Sequence, residues 1–594
     1  MYQYSDFDRQ FVRQRTAQFR DQLERHFAGK LPDEDFKPLR LQNGWYIQRF
    51  APMLRVAVPY GEISTTQLRM LAHIAREYDH KEDHDVSKAN AGLAKVATLP
   101  DRNAHFTTRQ NVQFNWIPLT RAAEVMDLLA SVSMHGIQTS GNCIRNTTTD
   151  ALAGIAVDEV ADPRPFAEIL RQWSTLHHEF AFLPRKFKVS ITGATEDRVA
   201  SPWYDVGLRL VRNVDGELGV QVRVGGGMGR TPIIGTVIRE FLPWQHLLNY
   251  LEAVIRVYNH YGRRDNSFKA RIKILVKAEG QNFIDAVEAE FNDILEKDGA
   301  PHTITQAELD RVSAFFVQPD LSCDRKSADE KIAHVLKAAA EDDIEFGRWL
   351  QRNVKPHKNP DLRAVSLSFK RPGQSPGDAT AEQLERAAEL VERFSAGEAR
   401  ITHEQNLLLP WVRCDQLPEL WREARRLGLA RPNIGLLTDM IVCPGGDFCD
   451  LANARSLPIA QALLERFNDL DEVYDLGDID LNMSGCINSC GHHHAGHIGI
   501  LGVDKDGQEW YQVTLGGSDG TRISGPATPG KVIGPSFAAD EMVDVVEALL
   551  DTYRAERQSG ETFIATVRRI GLEPFKAAAN AVRTHTARPV AVSA

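Results

Sequence analysis

The sequence lacks long apolar runs. Its 594 residues contain no stretch of about eighteen consecutive apolar residues, which excludes an ordinary membrane-spanning helix. The first residues, Met-Tyr-Gln-Tyr-Ser-Asp, have neither the basic start nor the apolar segment of a secretory signal. The formal net charge of -10 argues against a nucleic-acid binder. We therefore expect a cytoplasmic protein that binds neither membranes nor nucleic acid.

The chain also lacks a dinucleotide-binding turn. The glycine-rich segments 225–229 and 516–520 each follow a strand pattern, but neither has the Gly-x-Gly-x-x-Gly spacing of such a turn. We interpret them as glycine-rich turns, and no flavin or nicotinamide domain is predicted elsewhere. Electrons for any redox chemistry must then come from a partner protein.

Cysteine is scarce, yet four of the seven cysteines lie between positions 443 and 490. They form two close pairs, Cys443 with Cys449 and Cys486 with Cys490. Without a secretory signal, such pairs indicate metal or cluster binding in preference to disulfides. Zinc sites usually place their cysteines closer together than the first pair, and glycines beside the thiols leave N–H groups free to bond sulfur. The spacing favours an iron–sulfur cluster over the alternative of two buried thiol pairs without metal.

Cys-x5-Cys followed by Cys-x3-Cys-Gly resembles the signature of the sirohaem-dependent sulfite and nitrite reductases. The resemblance implies that Cys443, Cys449, Cys486 and Cys490 bind a [4Fe-4S] cluster, and that Cys490 also bridges to the iron of sirohaem. Sirohaem carries eight carboxylates and therefore needs many cationic and amide partners. The resemblance implies that Arg185 and Asn488 are two of them.

A β-α-β pattern occurs twice in the chain. The shared residues are Thr107, Gln110, Asn111 and Trp116 in the first copy and Thr402, Gln405, Asn406 and Trp411 in the second. We interpret each set as part of a strand. The offset is 295 residues for these strands and 316 for the preceding helices, so the first copy has 21 more residues in between. The surplus coincides with Lys81 to Arg102, which predicts a loop insertion.

The repeat predicts two similar half-domains about a pseudo-twofold axis. We also match Cys143 to Cys443, so that only the second copy keeps the cluster cysteines. The sirohaem reductases share this duplicated architecture. The resemblance therefore implies an α+β fold, with duplicated ferredoxin-like half-domains plus two related sirohaem- and cluster-binding α/β domains with mixed sheets. The predicted domains are an N-terminal helix and extension (1–43), a first ferredoxin-like half-domain (44–138, insertion 81–102), a first sirohaem-binding domain (139–345), a second ferredoxin-like half-domain (346–430) and a cluster- and sirohaem-binding domain (431–594).

The N-terminal residues 5–29 have an apolar pattern with four- and eight-residue spacing, which predicts an amphipathic helix. Ser5 is a candidate N-cap and Gly29 a stop signal. The apolar positions are Phe7, Phe11, Phe19, Leu23 and Phe27. We assign this helix to packing.

An anion that is to be reduced needs a cationic pocket, both to bind it and to supply protons. If residues 186–191 form a strand, Lys186 and Lys188 share one face while apolar residues occupy the other. On its own, this pattern also fits a solvated edge strand. The family resemblance favours the pocket, because it implies a substrate-binding set of two arginines and two lysines. The matching positions are Arg109, Arg145, Lys186 and Lys188.

A histidine-rich segment directly follows the last cluster cysteine: His492, His493, His494 and His497. The pattern permits a second metal site, but three successive side chains cannot point the same way on a strand or a helix. We favour the lining of a cofactor pocket. Cys323 and Cys414 stand alone and are interpreted as ordinary thiols.

The leading functional hypothesis is an assimilatory sulfite reductase haemoprotein that makes sulfide. Family sulfite reductases tend to have Arg-Lys-x-Lys where nitrite enzymes have Asn for the second Lys, and this chain has Lys188. A strongly charged pocket also suits dianionic sulfite better than nitrite. The alternatives are a nitrite reductase that forms ammonia and, from another class, a non-catalytic iron–sulfur electron carrier or sensor. The electron donor is either ferredoxin or a flavoprotein subunit.

Overall fold

The computed structural model describes residues 1–84, 99–321 and 328–583. Most of the predicted insertion at 81–102, and Cys323, lie outside these ranges. No helix within them is long and apolar enough to cross a membrane. The described strands are β1 (Trp45–Ile47), β2 (Pro52–Val56), β3 (Glu62–Ser64), β4 (Asn103–Phe106), β5 (Val112–Phe114), β6 (Thr148–Thr149), β7 (Val189–Thr192), β8 (Val206–Arg212), β9 (Leu218–Val224), β10 (Thr236–Pro243), β11 (Val354–Pro356), β12 (Leu362–Leu367), β13 (Asp378–Thr380), β14 (Glu398–Ile401), β15 (Leu407–Arg413), β16 (Ile441–Val442), β17 (Leu481–Ser484), β18 (Ile498–Lys505), β19 (Gln508–Leu515), β20 (Lys531–Val532) and β21 (Phe537–Ala538).

Helices cover the sheets and join them. They are α1 (Asp6–Phe27), α2 (Asp33–Gln42), α3 (Thr65–Tyr78), α4 (Ala122–Ser131), α5 (Arg164–Ser174), α6 (Leu247–Tyr261), α7 (Ile272–Glu279), α8 (Gln281–Glu296), α9 (Gln306–Ser313), α10 (Ala328–Asp342), α11 (Ile344–Arg352), α12 (Ala381–Phe394), α13 (Leu417–Arg426), α14 (Leu457–Arg466), α15 (Leu470–Leu476), α16 (Met542–Glu556), α17 (Phe563–Ile570) and α18 (Glu573–Ala581).

Two antiparallel five-stranded sheets exchange one strand with each other. Their orders are β1-β2-β5-β4-β13 and β11-β12-β15-β14-β3, so β13 from the second copy completes the first sheet and β3 from the first completes the second. Helices α3 and α12 pack together and begin with the same capping box, at Ser64 and Thr380. One apolar core runs through both copies. This exchange confirms the predicted pseudo-twofold relation.

Two mixed sheets follow the same plan as each other. In β6-β7-β8-β9-β10 the first two pairings are parallel and the next two antiparallel. The sheet β16-β17-β18-β19-β20 repeats that pattern, with β21 also beside β19. Each sheet has its own apolar core. The α+β class with mixed sheets is therefore confirmed.

The repeated Thr-x-x-Gln-Asn segment is a hairpin turn and not part of a strand, so that prediction was wrong. It connects β4 to β5 in the first copy and β14 to β15 in the second. Gln110 and Gln405 have φ angles of 59° and 62°, a left-handed conformation that side-chain-bearing residues rarely adopt. Thr107 Oγ1 closes the first turn by accepting the N–H of Asn111 at 3.1 Å. Arg109 therefore lies at the tip of a turn.

The match of Cys143 to Cys443 was also wrong. Gln110 Oε1 accepts the N–H of Thr149 at 3.1 Å, just as Gln405 Oε1 accepts that of Val442 at 2.9 Å. Strands β6 and β16 are thus counterparts. Cys443 follows β16, whereas Cys143 precedes the equivalent strand β6. The few residues of misalignment allowed in matching the two cysteines were enough to span the whole strand.

Helix α1 is shorter than predicted and buries only the middle of its apolar stripe. Ser5 caps it through a capping box with Asp8. Phe19 and Leu23 are buried, while Phe7 and Phe27 near the two ends are exposed. The reason is that α1 packs against α2 and α4, which cover only part of its length.

Candidate functional site

One cavity collects all ten predicted site residues. It has about 1700 Å³ of empty space, its open mouth included, between the first antiparallel sheet and the start of the mixed sheets. The predicted residues on its wall are Arg109, Arg145, Arg185, Lys186, Lys188, Cys443, Cys449, Cys486, Asn488 and Cys490. Elements from both copies are needed to enclose it, so no single repeat could form it.

The four cysteines lie on two loops that leave neighbouring parallel strands. Cys443 follows β16 and Cys486 comes two residues after β17. The N–H of Gly485 donates to Cys443 Sγ at 3.2 Å, the kind of bond that stabilises a cluster thiolate. Burial raises the pKa of the Cys443 and Cys449 thiols, and neighbouring Cys490 raises it further. Buried, mutually repelling thiolates need a positive metal centre beside them, as an iron–sulfur cluster provides.

The cysteines suit a cluster better than a single ion. Within the described ranges, no three His, Cys, Asp or Glu side chains form a group that could hold one metal ion. In a cubane each thiol binds a different iron, so its ligands stand farther apart than those of one ion. Asn488 forms backbone and side-chain hydrogen bonds with Cys486, and Thr108 donates to the carbonyl of Cys490 at 3.0 Å. The cluster loop is thereby tied to the first hairpin turn.

Arg109 and Arg145 are held on the cavity wall in different ways. Arg145 donates to the carbonyls of Thr139 and Gly141, at 2.7 Å from Nη1 and 2.7 Å from Nη2, which fixes its guanidinium. Arg109 Nη2 donates to a carbonyl at 2.6 Å, but its buried Nη1 has no hydrogen-bond partner among the residues that the structure describes. Burial lowers the pKa of Arg109. An unpaired buried donor costs free energy unless a ligand supplies an acceptor, so Arg109 fits an anionic group in the cavity.

Lys186 and Lys188 lie just before β7, which begins at Val189 and not at 186 as predicted. The expected alternation still holds, because Phe187 is fully buried while both lysines reach the cavity. Burial lowers the pKa of Lys186 to about 8 and that of Lys188 well below its usual range. For Lys188, the charge of Lys186 adds to this effect.

A buried ion pair supports the lysine segment from behind. Asp205 is fully buried, and its Oδ2 accepts the backbone N–H of Lys188 at 2.9 Å. Its Oδ1 pairs with Arg271, whose Nη2 lies 2.6 Å away. Arg271 also lowers the pKa of Lys188, although burial is the larger cause. Asp205 therefore fixes the backbone and offsets one charge of a crowded cationic region.

The sequence analysis missed two cations. Arg55 lines the cavity from β2, and its Nη2 donates to Gln113 Oε1 at 3.1 Å while its buried Nε has no protein partner. A charged residue between apolar neighbours in a strand was the available signal. Lys273 is buried, and its Nζ donates to the carbonyls of Met228 and Thr231, both at 2.6 Å. Lys273 shapes the glycine-rich segment 225–229. It was not predicted because it lies far along the chain from the other cations of the site.

The histidine-rich segment mostly does not line the cavity. Only His492 reaches it among the four. His493 is fully buried, and neither ring nitrogen has a hydrogen-bond partner. His494 Nε2 lies 3.0 Å from the carbonyl of Gly229, and His497 Nδ1 accepts the N–H of Asp480 at 3.1 Å. The expectation that all four line a pocket was wrong, because the tight turns here point them in different directions.

The pseudo-twofold axis relates the cavity to a region of opposite charge. The register of β7 on β6 matches that of β17 on β16, which aligns the residues that precede β7 and β17. The corresponding pairs are Lys186 with Asp478, Lys188 with Asp480 and Arg109 with Glu404. Burial raises the pKa of Glu404 to about 7 and that of Asp480 to about 6. The equivalent region therefore has carboxylates at the positions of the cavity's cations, and some of its acids pair with Arg352 and Lys370.

The lining of the cavity matches the cofactors implied by the cysteine motif. Six cations line it, and no carboxylate in the part of the chain that the structure describes does so. The cations are Arg55, Arg109, Arg145, Arg185, Lys186 and Lys188. An octacarboxylate macrocycle needs such a wall, and the four thiols lie on the same cavity.

Two family models match the chain. The nitrite and sulphite reductase 4Fe-4S domain matches residues 140–295 and 436–586. The nitrite/sulfite reductase ferredoxin-like half domain matches residues 91–132 and 367–427. The first alone covers more than half of the chain.

Similar proteins carry both activities in their names. The assimilatory ferredoxin-dependent nitrite reductase of Haloferax mediterranei is 27% identical over 531 residues, covering 86% of this chain and 80% of the relative. Sulfite reductase [ferredoxin] 1 of Mycolicibacterium paratuberculosis is 27% identical over 495 residues, covering 82% of this chain and 80% of the relative. The solved NirA protein of Mycobacterium tuberculosis has a TM-score of 0.72 at 24% identity, covers 94% of both chains and supports the fold. The chain therefore belongs to the nitrite and sulfite reductase family, whose members carry sirohaem and a [4Fe-4S] cluster.

Proposed function

We propose that this chain is an assimilatory sulfite reductase that reduces sulfite to sulfide with six electrons. The observation that carries the proposal is the cationic wall, which has no carboxylate among the described residues and includes Lys188 as the second lysine of Arg-Lys-x-Lys. Sulfite bears two negative charges and gains more from such a wall than nitrite does. Burial also lowers the pKa of both Lys186 and Lys188, which makes each a better proton donor.

In this proposal the cofactors are held by residues named above. Cys443, Cys449, Cys486 and Cys490 would hold the cluster, and Cys490 would also be the contact to sirohaem. Arg185 and Asn488 would hold the macrocycle. When bound, these two groups supply the one-electron chemistry that six-electron reduction requires.

The chain's own side chains bind the substrate and supply protons. Arg145, fixed by backbone carbonyls, offers oriented donors to an oxyanion. Arg109 contributes the donor that lacks a protein partner. Lys186 and Lys188 hold protons at Nζ, and burial lowers their pKa so that transfer to a departing oxygen becomes easier. Each oxygen that departs takes two protons and is released as water.

Nitrite reduction to ammonia is the second candidate, because both activities occur in the names of relatives of equal identity. A non-catalytic electron carrier is disfavoured, since electron transfer alone needs no anion pocket. As donor we favour ferredoxin over a flavoprotein subunit, because ferredoxin appears in the names of relatives of both activities.

The test is anaerobic steady-state turnover of the sirohaem-loaded protein with a reduced viologen dye, which bypasses the natural donor. We expect a higher kcat/KM for sulfite than for nitrite, with sulfide formed in stoichiometric amount. A preference for nitrite with ammonia as product would make the chain a nitrite reductase and remove the diagnostic value of Lys188. If the protein binds neither anion, the non-catalytic electron carrier becomes the remaining hypothesis.

A further inference from the structure

Gln405 makes an unusually complete set of hydrogen bonds beside the first cluster cysteine. It lies at the tip of the β14–β15 turn and is 1% exposed. Its Oε1 accepts the N–H of Val442 at 2.9 Å, and its Nε2 donates to the carbonyl of the same residue at 3.0 Å. Nε2 also donates to the carbonyl of Phe106 at 2.9 Å. Val442 is the residue directly before Cys443.

These bonds fix the peptide group that leads into Cys443. Its carbonyl is that of Val442, held by Gln405, and its N–H is that of Cys443, which donates to the carbonyl of Met483 at 3.2 Å. The peptide group is therefore hydrogen-bonded at both its carbonyl and its N–H. Since the Cys443 thiol follows this peptide directly, its position relative to the other three cysteines depends on these hydrogen bonds.

Two further side chains orient Gln405. His105 Nε2 lies 3.1 Å from Gln405 Nε2, and His105 Nδ1 lies 2.7 Å from Asp378 Oδ1. His105 Nδ1 donates to Asp378, which leaves Nε2 as an acceptor; because the two hydrogens of the Gln405 amide serve three acceptors, one of them is shared between His105 Nε2 and a carbonyl. Asp378 belongs to β13, the strand exchanged between the two copies. Asp378, His105 and Gln405 therefore form a chain of side-chain contacts from the exchanged strand to the residue before Cys443.

We propose that Gln405, oriented by His105 and Asp378, is a positioning residue for the cluster ligand Cys443. The inference rests on the proposed ligation of the cluster by Cys443. Gln405 also lines the cavity, and the role proposed here is exerted through the backbone of Val442.

The chain supplies a matched control in Gln110. This residue has a similar φ angle and is fully buried. Its Oε1 accepts the N–H of Thr149 at 3.1 Å, and its Nε2 donates to the carbonyl of Ile401 at 3.1 Å. The residue after Thr149 is Asp150, which pairs with an arginine and is no cluster ligand. Removing Gln110 therefore imposes a similar structural loss without freeing the peptide before a cluster ligand, although its turn also carries Thr108, which donates to the carbonyl of Cys490.

The experiment compares Gln405→Ala with Gln110→Ala in the full-length, cofactor-loaded protein. Iron release to a ferrous chelator is followed without oxygen, together with the midpoint potential of the cluster. We expect about 10- to 100-fold faster release and a shifted potential in Gln405→Ala, the usual effect of losing a residue that orients a metal ligand. Gln110→Ala should change release less than about twofold at a similar loss of stability.

Equal release rates and equal potentials in the two variants would overturn the positioning role. If Gln405→Ala does not fold, Gln405→Asn replaces it, because Asn tolerates the left-handed conformation but is one methylene too short to reach Val442. Measurements on the wild-type protein distinguish failure of the proposed cluster ligation from failure of the positioning role. If it binds sirohaem but no cluster, the proposed ligation has failed; if it holds the cluster and the glutamines behave alike, only this inference has failed.

Discussion

Replacing Asp205 by Asn should weaken folding, because it leaves Arg271 as an uncompensated buried charge, and anion binding, because that charge lowers the pKa of Lys186 and Lys188 further. The carboxylate is fully buried, and the Arg271 side chain is only 12% exposed. Breaking a buried pair by neutralising one partner costs about 3–5 kcal/mol. The amide oxygen of Asn can still accept the N–H of Lys188, so the cost comes mainly from the charge.

The double variant Asp205→Asn/Arg271→Gln tests this reasoning. Removing both charges should recover about 2–3 kcal/mol of the loss, since interaction energies between contacting residues reach that size. The assay is urea unfolding followed by tryptophan fluorescence. The interaction free energy between Asp205 and Arg271 is calculated from the urea midpoints of the variants, with one common dependence of the unfolding free energy on urea concentration. Strictly additive losses would refute the claim that Asp205 compensates Arg271.

The same substitution should raise the KM for the anion. Arg271 is one of the charges that lower the pKa of Lys186 and Lys188, after burial as the main cause. Without Asp205 its charge is unopposed, both lysines lose their protons more readily, and each pKa unit changes the protonated fraction up to tenfold. The double variant serves as the control, because it removes the repelling charge and should restore the KM. A KM that stays unchanged in Asp205→Asn would contradict this.

Three further predictions concern the cavity wall. Lys188→Asn should lower kcat/KM for sulfite at least about tenfold more than for nitrite, because one lost charge costs a dianion twice the Coulomb energy; equal losses would exclude Lys188 as the selectivity residue. Burial lowers the pKa of Lys186 to about 8, so the Kd for an anion, measured by optical titration, should rise by up to about tenfold per pH unit above pH 8 as the charge is lost. Lys186→Arg should remove that rise, since its guanidinium stays charged. Cys490→Ser should abolish or uncouple the two cofactors, and a wild-type optical spectrum in this variant would refute the bridging role.

The chemistry of the site could be predicted from local sequence. The cysteine spacing and the Arg-Lys-x-Lys segment are short patterns, and their residues do lie on one cavity wall. The alternation of Lys186, Phe187 and Lys188 was enough to separate cavity-facing from buried side chains. Cys323 and most of the predicted insertion lie outside the described residues, and the proposed domain boundaries stay predictions.

The hairpin turns could not be predicted, and the reason is physical. Gln110 and Gln405 adopt left-handed backbone angles at turns that contain no glycine or proline, and the threonines and asparagines there are a weaker turn signal. Each conformation is held by long-range bonds, from Gln110 to the carbonyl of Ile401 and from Gln405 to that of Phe106. Because the two bonds cross between the copies, the assembled pair adds stability that the local bonds of each turn do not supply alone.

By itself, the sequence determined the repeat, the cluster motif and the main cations, since each is written in neighbouring residues. Only the tertiary structure decided that the copies exchange a strand, that Arg55 joins the cationic wall, and that the equivalent region carries acids. Those features depend on strand register and on contacts between residues hundreds of positions apart. Local propensities do not encode such contacts, because their free energy appears only when both copies have folded together.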